Sequence, residues 1–169
     1  MLLHAECSFL LILSEDIYNH MINWSFKKFD DLTPDELYSV LQLRNEVFVV
    51  EQNCVFQDAD NKDQDSHHLM GWDNKMLVAY SRIVPHGIAY DSFPSIGRVV
   101  TSPRMRKAGI GKILMQQSIE ELQKLFGKSS IKLGAQLYLK KFYESFGFVQ
   151  SSEVYMEDGI PHLEMIRTT

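Results

Sequence analysis

Cysteine is scarce. Cys7 and Cys54 are the only two in 169 residues, too few for a disulfide framework or a cysteine-rich zinc site. That points to a reducing compartment and to a role for both as small apolar side chains. Long apolar runs are also missing. The one stretch resembling a targeting signal, Phe9-Leu10-Leu11-Ile12-Leu13, follows a segment without Lys or Arg. It is short for a signal sequence and far below the roughly 20 residues that span a bilayer, so a soluble, cytoplasmic protein is expected. Positive charge is in deficit, with 17 Lys and Arg against 22 Asp and Glu for a net charge of -5. This argues against a general binder of nucleic acid or of anionic membranes, both of which rely on excess positive charge. The six His include no HExxH or paired-ligand spacing, so no metal is inferred.

What is present is an ordinary globular composition, 45% hydrophobic and 23% charged. A chain of this length buries about 70% of its unfolded surface and exceeds one typical domain only slightly. Residues Met1–His20 are Leu-rich and then acidic, and Met21-Ile22-Asn23-Trp24 reads as a second beginning. The expected organisation is an N-terminal extension over 1–20 and one domain over 21–169. The extension is expected to be dispensable for chemistry, its leucines covering apolar surface or supporting self-association, a homodimer included.

The elements alternate without repeats or low-complexity linkers. Trp24–Phe29 suits an edge strand. Thr33-Pro34-Asp35-Glu36 supplies an N-cap, a proline at N1 and a capping box, and a helix follows through Leu37, Val40, Leu41, Val47 and Phe48. Arg44 interrupts its apolar face and is expected either to snorkel or to line a pocket. Residues 57–65 hold Asp58, Asp60, Asp63 and Asp65, but Lys62 and the missing Gly and Glu break any calcium-loop pattern. A solvated loop is expected there, or one that attracts a cationic substrate. Leu69–Trp72 and Met76–Val84 flank the turn Asp73-Asn74, and Ile96–Thr101 completes three antiparallel strands. A helix opens at Gly109 and stops at Gly127, and Ile131–Ala135 is a buried strand. Leu139–Phe146 is a shorter helix. Phe148–Met156 and Leu163–Ile166 form a hairpin turned at Asp158-Gly159-Ile160-Pro161.

The chemistry concentrates in Arg104-Met105-Arg106-Lys107-Ala108-Gly109-Ile110-Gly111-Lys112, between a strand and a helix. Unpaired backbone N–H groups, the helix dipole and small residues suit such a site to phosphate oxygens. A Walker loop would need Gly at Arg106 and Ser or Thr at Ile113; a dinucleotide fingerprint would need Gly or Ala at Leu114. By itself the pattern leaves a plain glycine turn equally open.

Arg106-x-x-Gly109-x-Gly111, following Gly97-Arg98-Val99-Val100, resembles the coenzyme A signature of the Gcn5-related N-acetyltransferase (GNAT) family. Phe142-Tyr143-Glu144-Ser145-Phe146-Gly147-Phe148 is similar to its second hallmark. Leu43-Arg44, Val47–Cys54, Leu133–Gln136 and Glu157–His162 look like its ElaA-like branch, and the resemblance runs from Met21 to the C-terminus.

The resemblance implies a mixed α/β acyl-CoA N-acyltransferase fold, whose central mixed sheet splays at the coenzyme A site and is flanked by helices. It implies acetyl-CoA as co-substrate, with backbone groups of Arg106, Lys107, Ala108, Gly109, Ile110, Gly111 and Lys112 on the pyrophosphate. Arg98, Val99 and Val100 would pair with the pantetheine arm, and Gln136 would contact it. Tyr143 resembles the acid that protonates the departing thiolate, which fits amine attack through a tetrahedral oxyanion. Glu51 and His162 are the candidate bases, since no carboxylate lies in Ile96–Thr101. The acceptor is a small-molecule or peptide amine, cationic if Glu46, Glu51, Asp58, Asp60, Asp63, Asp65, Glu157 and Asp158 surround it. Transfer of another acyl group, or acyl-CoA binding without turnover, are the alternatives. His67 and His68 are read as ordinary polar residues.

Overall fold

The computed structural model describes residues 22–106 and 109–168; the extension 1–20, with Cys7, and the loop residues Lys107 and Ala108 lie outside them. Strands β1 (Ile22–Lys28), β2 (His67–Asp73), β3 (Met76–Val84) and β4 (Ser95–Thr101) form an antiparallel sheet in that spatial order. All of β3 but Met76 is buried, because helices cover both faces of the sheet. Its sequence therefore reads as an apolar run rather than an alternation.

Helix α1 (Pro34–Arg44) starts as its sequence predicts. The Thr33 hydroxyl accepts from Glu36 N–H at 3.2 Å, and Glu36 accepts from Thr33 N–H at 2.8 Å. The apolar spacing predicts that this helix continues through Phe48, but it widens into a π-helical segment over Asn45–Glu51. A hydrogen bond that spans one more residue shifts the helical phase. Val47 stays in the core beneath α1, while Phe48 reaches the cleft described below.

Helix α2 (Ile110–Phe126) is bounded by Gly109 (φ 77°) and Gly127 (φ 70°), both in backbone conformations that favour glycine. Its buried face, Ile110, Leu114, Met115, Ile119 and Leu122, belongs to the main core, while Val40 and Leu43 of α1 pack with Met70, Tyr80 and Val100 in a second cluster.

A second antiparallel sheet follows. In it β8 (Ile160–Arg167) pairs with β5 (Ile131–Gln136) along one side and with β6 (Val149–Gln150) and β7 (Tyr155–Glu157) along the other. Helix α3 (Lys140–Glu144) is shorter than expected, since Leu137–Leu139 winds as a 3₁₀ turn and the chain leaves the helix toward Gly147 (φ 82°). β4 and β5 lie together without a ladder between them. A hydrogen bond from Lys132 N–H to the Pro94 carbonyl (3.2 Å) ties the two sheets near one end of each strand. The expected α/β fold with a splayed sheet is the fold observed, each half being antiparallel.

Candidate active site

The divergence of β4 and β5 opens a cavity of about 140 Å³. One wall is Ile96, Gly97, Arg98 and Val99; the other is Gly134, Gln136, Leu139 and Tyr143. The π-helical segment and the residues after it contribute Phe48, Gln52, Cys54 and Phe56, and the β7–β8 turn contributes Glu157, Asp158, Ile160 and His162. β4 carries a bulge here. Tyr80 lies opposite Val100 and Arg82 opposite Gly97, so Arg98 and Val99 share the place facing Ser81, and Arg98 takes φ 50°. These two residues have left the register with β3. Val100 rejoins it, its side chain buried in the α1 cluster.

The room a ligand needs is marked by glycines. A Cβ added at Gly97 or Gly111 would meet no atom within 4 Å, and one at Gly134 would touch the Tyr155 hydroxyl at 3.4 Å. Gly111 follows Ile110 in the first turn of α2, where backbone N–H groups have no carbonyl one turn back within the helix. These open positions and spare donors fit the phosphates and arm of coenzyme A.

The expected side chains are brought together in part. Tyr143 lines the cleft and is buried, and burial, followed by the nearby Tyr138 phenol, pushes its hydroxyl above the ordinary tyrosine range. It is therefore protonated at neutral pH. Gln136 lines the cleft and donates to Gln52 Oε1 at 3.1 Å, joining β5 to the end of the π-helical segment. His162 lines it too, with Nδ1 held by the Ile160 carbonyl at 2.8 Å and its ring stacked on Tyr155 at 6.1 Å. Because a carbonyl only accepts, Nδ1 carries the proton and Nε2 is the basic nitrogen. Glu51 does not join them. Both of its oxygens accept from Arg106 at 2.7 Å, so this carboxylate and this cation are committed to each other beside the cleft. Cys54 is buried, as a small apolar side chain would be, and its thiol also donates to the Asp158 carbonyl at 3.4 Å.

The acidic segment overturns its sequence reading. Asp58, Asp60 and Asp63 are not solvated: they meet Arg44, Arg82 and Arg98 in one network. Arg44, fully buried and thus neither snorkelling nor lining the cleft, donates to Asp58 Oδ2 (2.7 Å) and Asp63 Oδ1 (2.8 Å). Arg82 donates to Asp60 (2.6 and 2.8 Å) and Asp63 (2.8 Å). Arg98 places Nε 2.8 Å from Asp58 Oδ1 and donates through Nη2 to the Asp58 carbonyl (3.1 Å) and Asp60 Oδ2 (3.3 Å). Burial alone would raise the Asp60 carboxyl, but Arg82 and Arg98 outweigh it and hold it far below the usual range. Asp65 alone of the four is exposed. These carboxylates are spent on arginines and cannot serve as a field for a cationic substrate.

His68 is likewise no ordinary polar residue. It is fully buried; Nε2–H donates to the Asp63 carbonyl (3.0 Å), and Nδ1 lies 2.8 Å from the Tyr80 hydroxyl, from which it accepts when the ring is neutral. Burial lowers its pKa in the folded protein. Below about pH 6.5 the unfolded chain gains a proton that the folded chain refuses, so stability falls from pH 7 toward pH 5, by at most about 1.4 kcal/mol per pH unit for this group. Denaturant melts of the parent and of His68→Gln across that range check this: the variant is expected to show the shallower dependence, with His67, also lowered by burial, supplying a remainder.

The fold and the cleft define an acyl-CoA N-acyltransferase architecture. The chain belongs to the GNAT family: residues 30–169 match the family described as "Acetyltransferase (GNAT) domain". Within it the chain falls in the ElaA-like branch. It is 44% identical to Protein ElaA of Escherichia coli (strain K12) over 149 residues, 87% of this chain and 97% of that protein. The crystal structure of Escherichia coli ElaA superposes with a TM-score of 0.82 at 43% identity, over 87% of this chain and 99% of that one. That of an acyl-CoA N-acyltransferase from Pseudomonas aeruginosa gives 0.83 at 42% identity, over the same shares. The fold alone is shared with BjaI, a CoA-dependent acyl-homoserine lactone synthase (TM-score 0.73, 14% identity, 86% of this chain and 82% of that one). Among the described residues, no helix is long and apolar enough to cross a membrane.

Proposed function

We propose that the chain transfers an acetyl group from acetyl-CoA to an amine by direct attack, acting in the cytoplasm. The observation that carries this reading is the buried phenol of Tyr143 in the wall of the cleft where β4 and β5 part. Residues Arg106 to Lys112 would hold the pyrophosphate, the β4 bulge with Val100 the pantetheine arm, and Gln136 its inner end. When bound, acetyl-CoA supplies an activated thioester carbonyl. Tyr143 holds a proton at Oη for the leaving sulfur, and His162 Nε2 accepts the proton shed by the attacking amine. His162 is preferred to Glu51 as base because it lines the cleft, whereas the Glu51 carboxylate is held by Arg106.

The acceptor end still favours a cation, on fewer groups than the sequence suggests. Glu157 and Asp158 line the cleft, and the Tyr155 ring lies beside them. A polyamine or lysine-like amine is expected to show a kcat/KM at least about fivefold above that of an acidic amino acid, and the gap is expected to narrow at high salt. The check is thiol release from acetyl-CoA and from longer acyl-CoA donors over an amine panel at low and high ionic strength. No thiol release with any amine would defeat the enzymatic reading, and a preference for longer acyl groups would move the donor toward the chemistry of fold relatives such as BjaI. A preference for the acidic acceptor would remove the electrostatic argument.

A further inference from the structure

We propose that Asp58 and Asp60 are positioning residues for the acyl-CoA site: by gripping the Arg98 side chain they hold the β4 bulge in the conformation that turns the Arg98 and Val99 peptide groups away from β3. The inference rests on the coenzyme A reading above and adds to it what sets the shape of the pantetheine wall.

Arg98 adopts φ 50°, a conformation that costs a side-chain-bearing residue free energy and that glycine would adopt without strain. Released, the residue gains by leaving that conformation, and the bulge, unpaired with β3 at Arg98 and Val99, loosens. What opposes that loosening is the other end of the side chain. Its guanidinium makes three polar contacts with a segment about 40 residues away in sequence, at 2.8, 3.1 and 3.3 Å, and lies 5.8 Å from the centre of the Phe56 ring. A grip is only as firm as its mount. Here the mount is rigid, because Asp58 is also bound by Arg44 of α1 and Asp60 by Arg82 of β3, two arginines that are almost wholly buried. Arg98 is the most exposed of the three, with 24% of its side chain accessible against 1% for Arg44 and 4% for Arg82. The outer arginine is thus the one that reaches the cleft wall, while the inner two fix the loop to the domain.

Arg98→Ala tests this without destroying the network. It leaves the Arg44 and Arg82 pairs in place and keeps a side-chain-bearing residue at positive φ, so the grip is lost while the strain it opposes remains. Hydrogen–deuterium exchange of residues 96–101 is expected to speed up at least tenfold with exchange in α2 unchanged. Coenzyme A affinity by calorimetry is expected to fall at least tenfold, with the acceptor KM within twofold. Arg98→Lys, which keeps one charge but not the fork, is expected to recover part of both. The proposal is overturned if β4 exchange and coenzyme A affinity in Arg98→Ala match the parent, or if they change only in step with a general loss of stability. Should the parent itself bind no coenzyme A, the functional reading fails separately, and β4 exchange alone then decides the grip.

Discussion

Coenzyme A is expected not to bind the Gly111→Asp variant, while the melting temperature of that variant stays within about 3 °C of the parent or rises. The two effects have opposite signs for one reason. Position 111 lies in the first turn of α2 with open space where a Cβ would stand, so the new side chain meets no protein atom. A carboxylate there suits the positive end of the helix, worth about 0.3–1 kcal/mol, and replaces the most flexible residue in a helix. The same charge stands where the proposed site would hold a phosphate. At about 4 Å and an effective dielectric near 20, two like charges repel by roughly 4 kcal/mol, close to a thousandfold in affinity. Gly109→Asp is expected to lose binding as well but to melt lower, because Gly109 sits at φ 77°. Calorimetric titration with coenzyme A beside scanning calorimetry separates charge from strain. Normal titration of both variants would show that the phosphates do not lie at this loop.

Tyr143→Phe is expected to lower turnover by roughly ten- to a thousandfold, about 1.4–4 kcal/mol of transition-state stabilisation, with coenzyme A affinity within about twofold of the parent. The ring is packed edge-on against Phe142 (5.2 Å) and Phe148 (6.0 Å), contacts that phenylalanine keeps. Only the hydroxyl is lost. Burial keeps that hydroxyl protonated well past neutral pH, so it is available as a donor wherever the enzyme works. Single-turnover rates with acetyl-CoA read the chemical step directly. An unchanged rate under those conditions would return Tyr143 to a packing role.

Both positions are legible in the amino-acid sequence because their signals are local. Gly109 and Gly127 mark the helix ends through backbone conformations that a single residue decides, and both stand where expected. Thr33, Pro34 and Glu36 announce α1 within four residues. Spacing through Val47 and Phe48 does not reveal the π-helical segment, since apolar residues at three- and four-residue intervals suit α and π turns alike over so short a stretch.

By itself, then, the sequence determined most of the elements, their capping, the fold of the family and the two motifs of the proposed coenzyme A site, each written within a few neighbouring residues. Only the tertiary structure decided what the charges do. Arg44, Arg82 and Arg98 come from α1, β3 and β4, and they find their aspartates across 14 to 40 positions of chain. Glu51 and Arg106 meet across 55. A charge in a sequence does not specify its partner, and a solvated aspartate and one locked to buried arginines are written with the same residue. The choice between them follows from which strands and helices pack together, because burial makes an unpaired charge too costly to leave and so forces the match that topology allows.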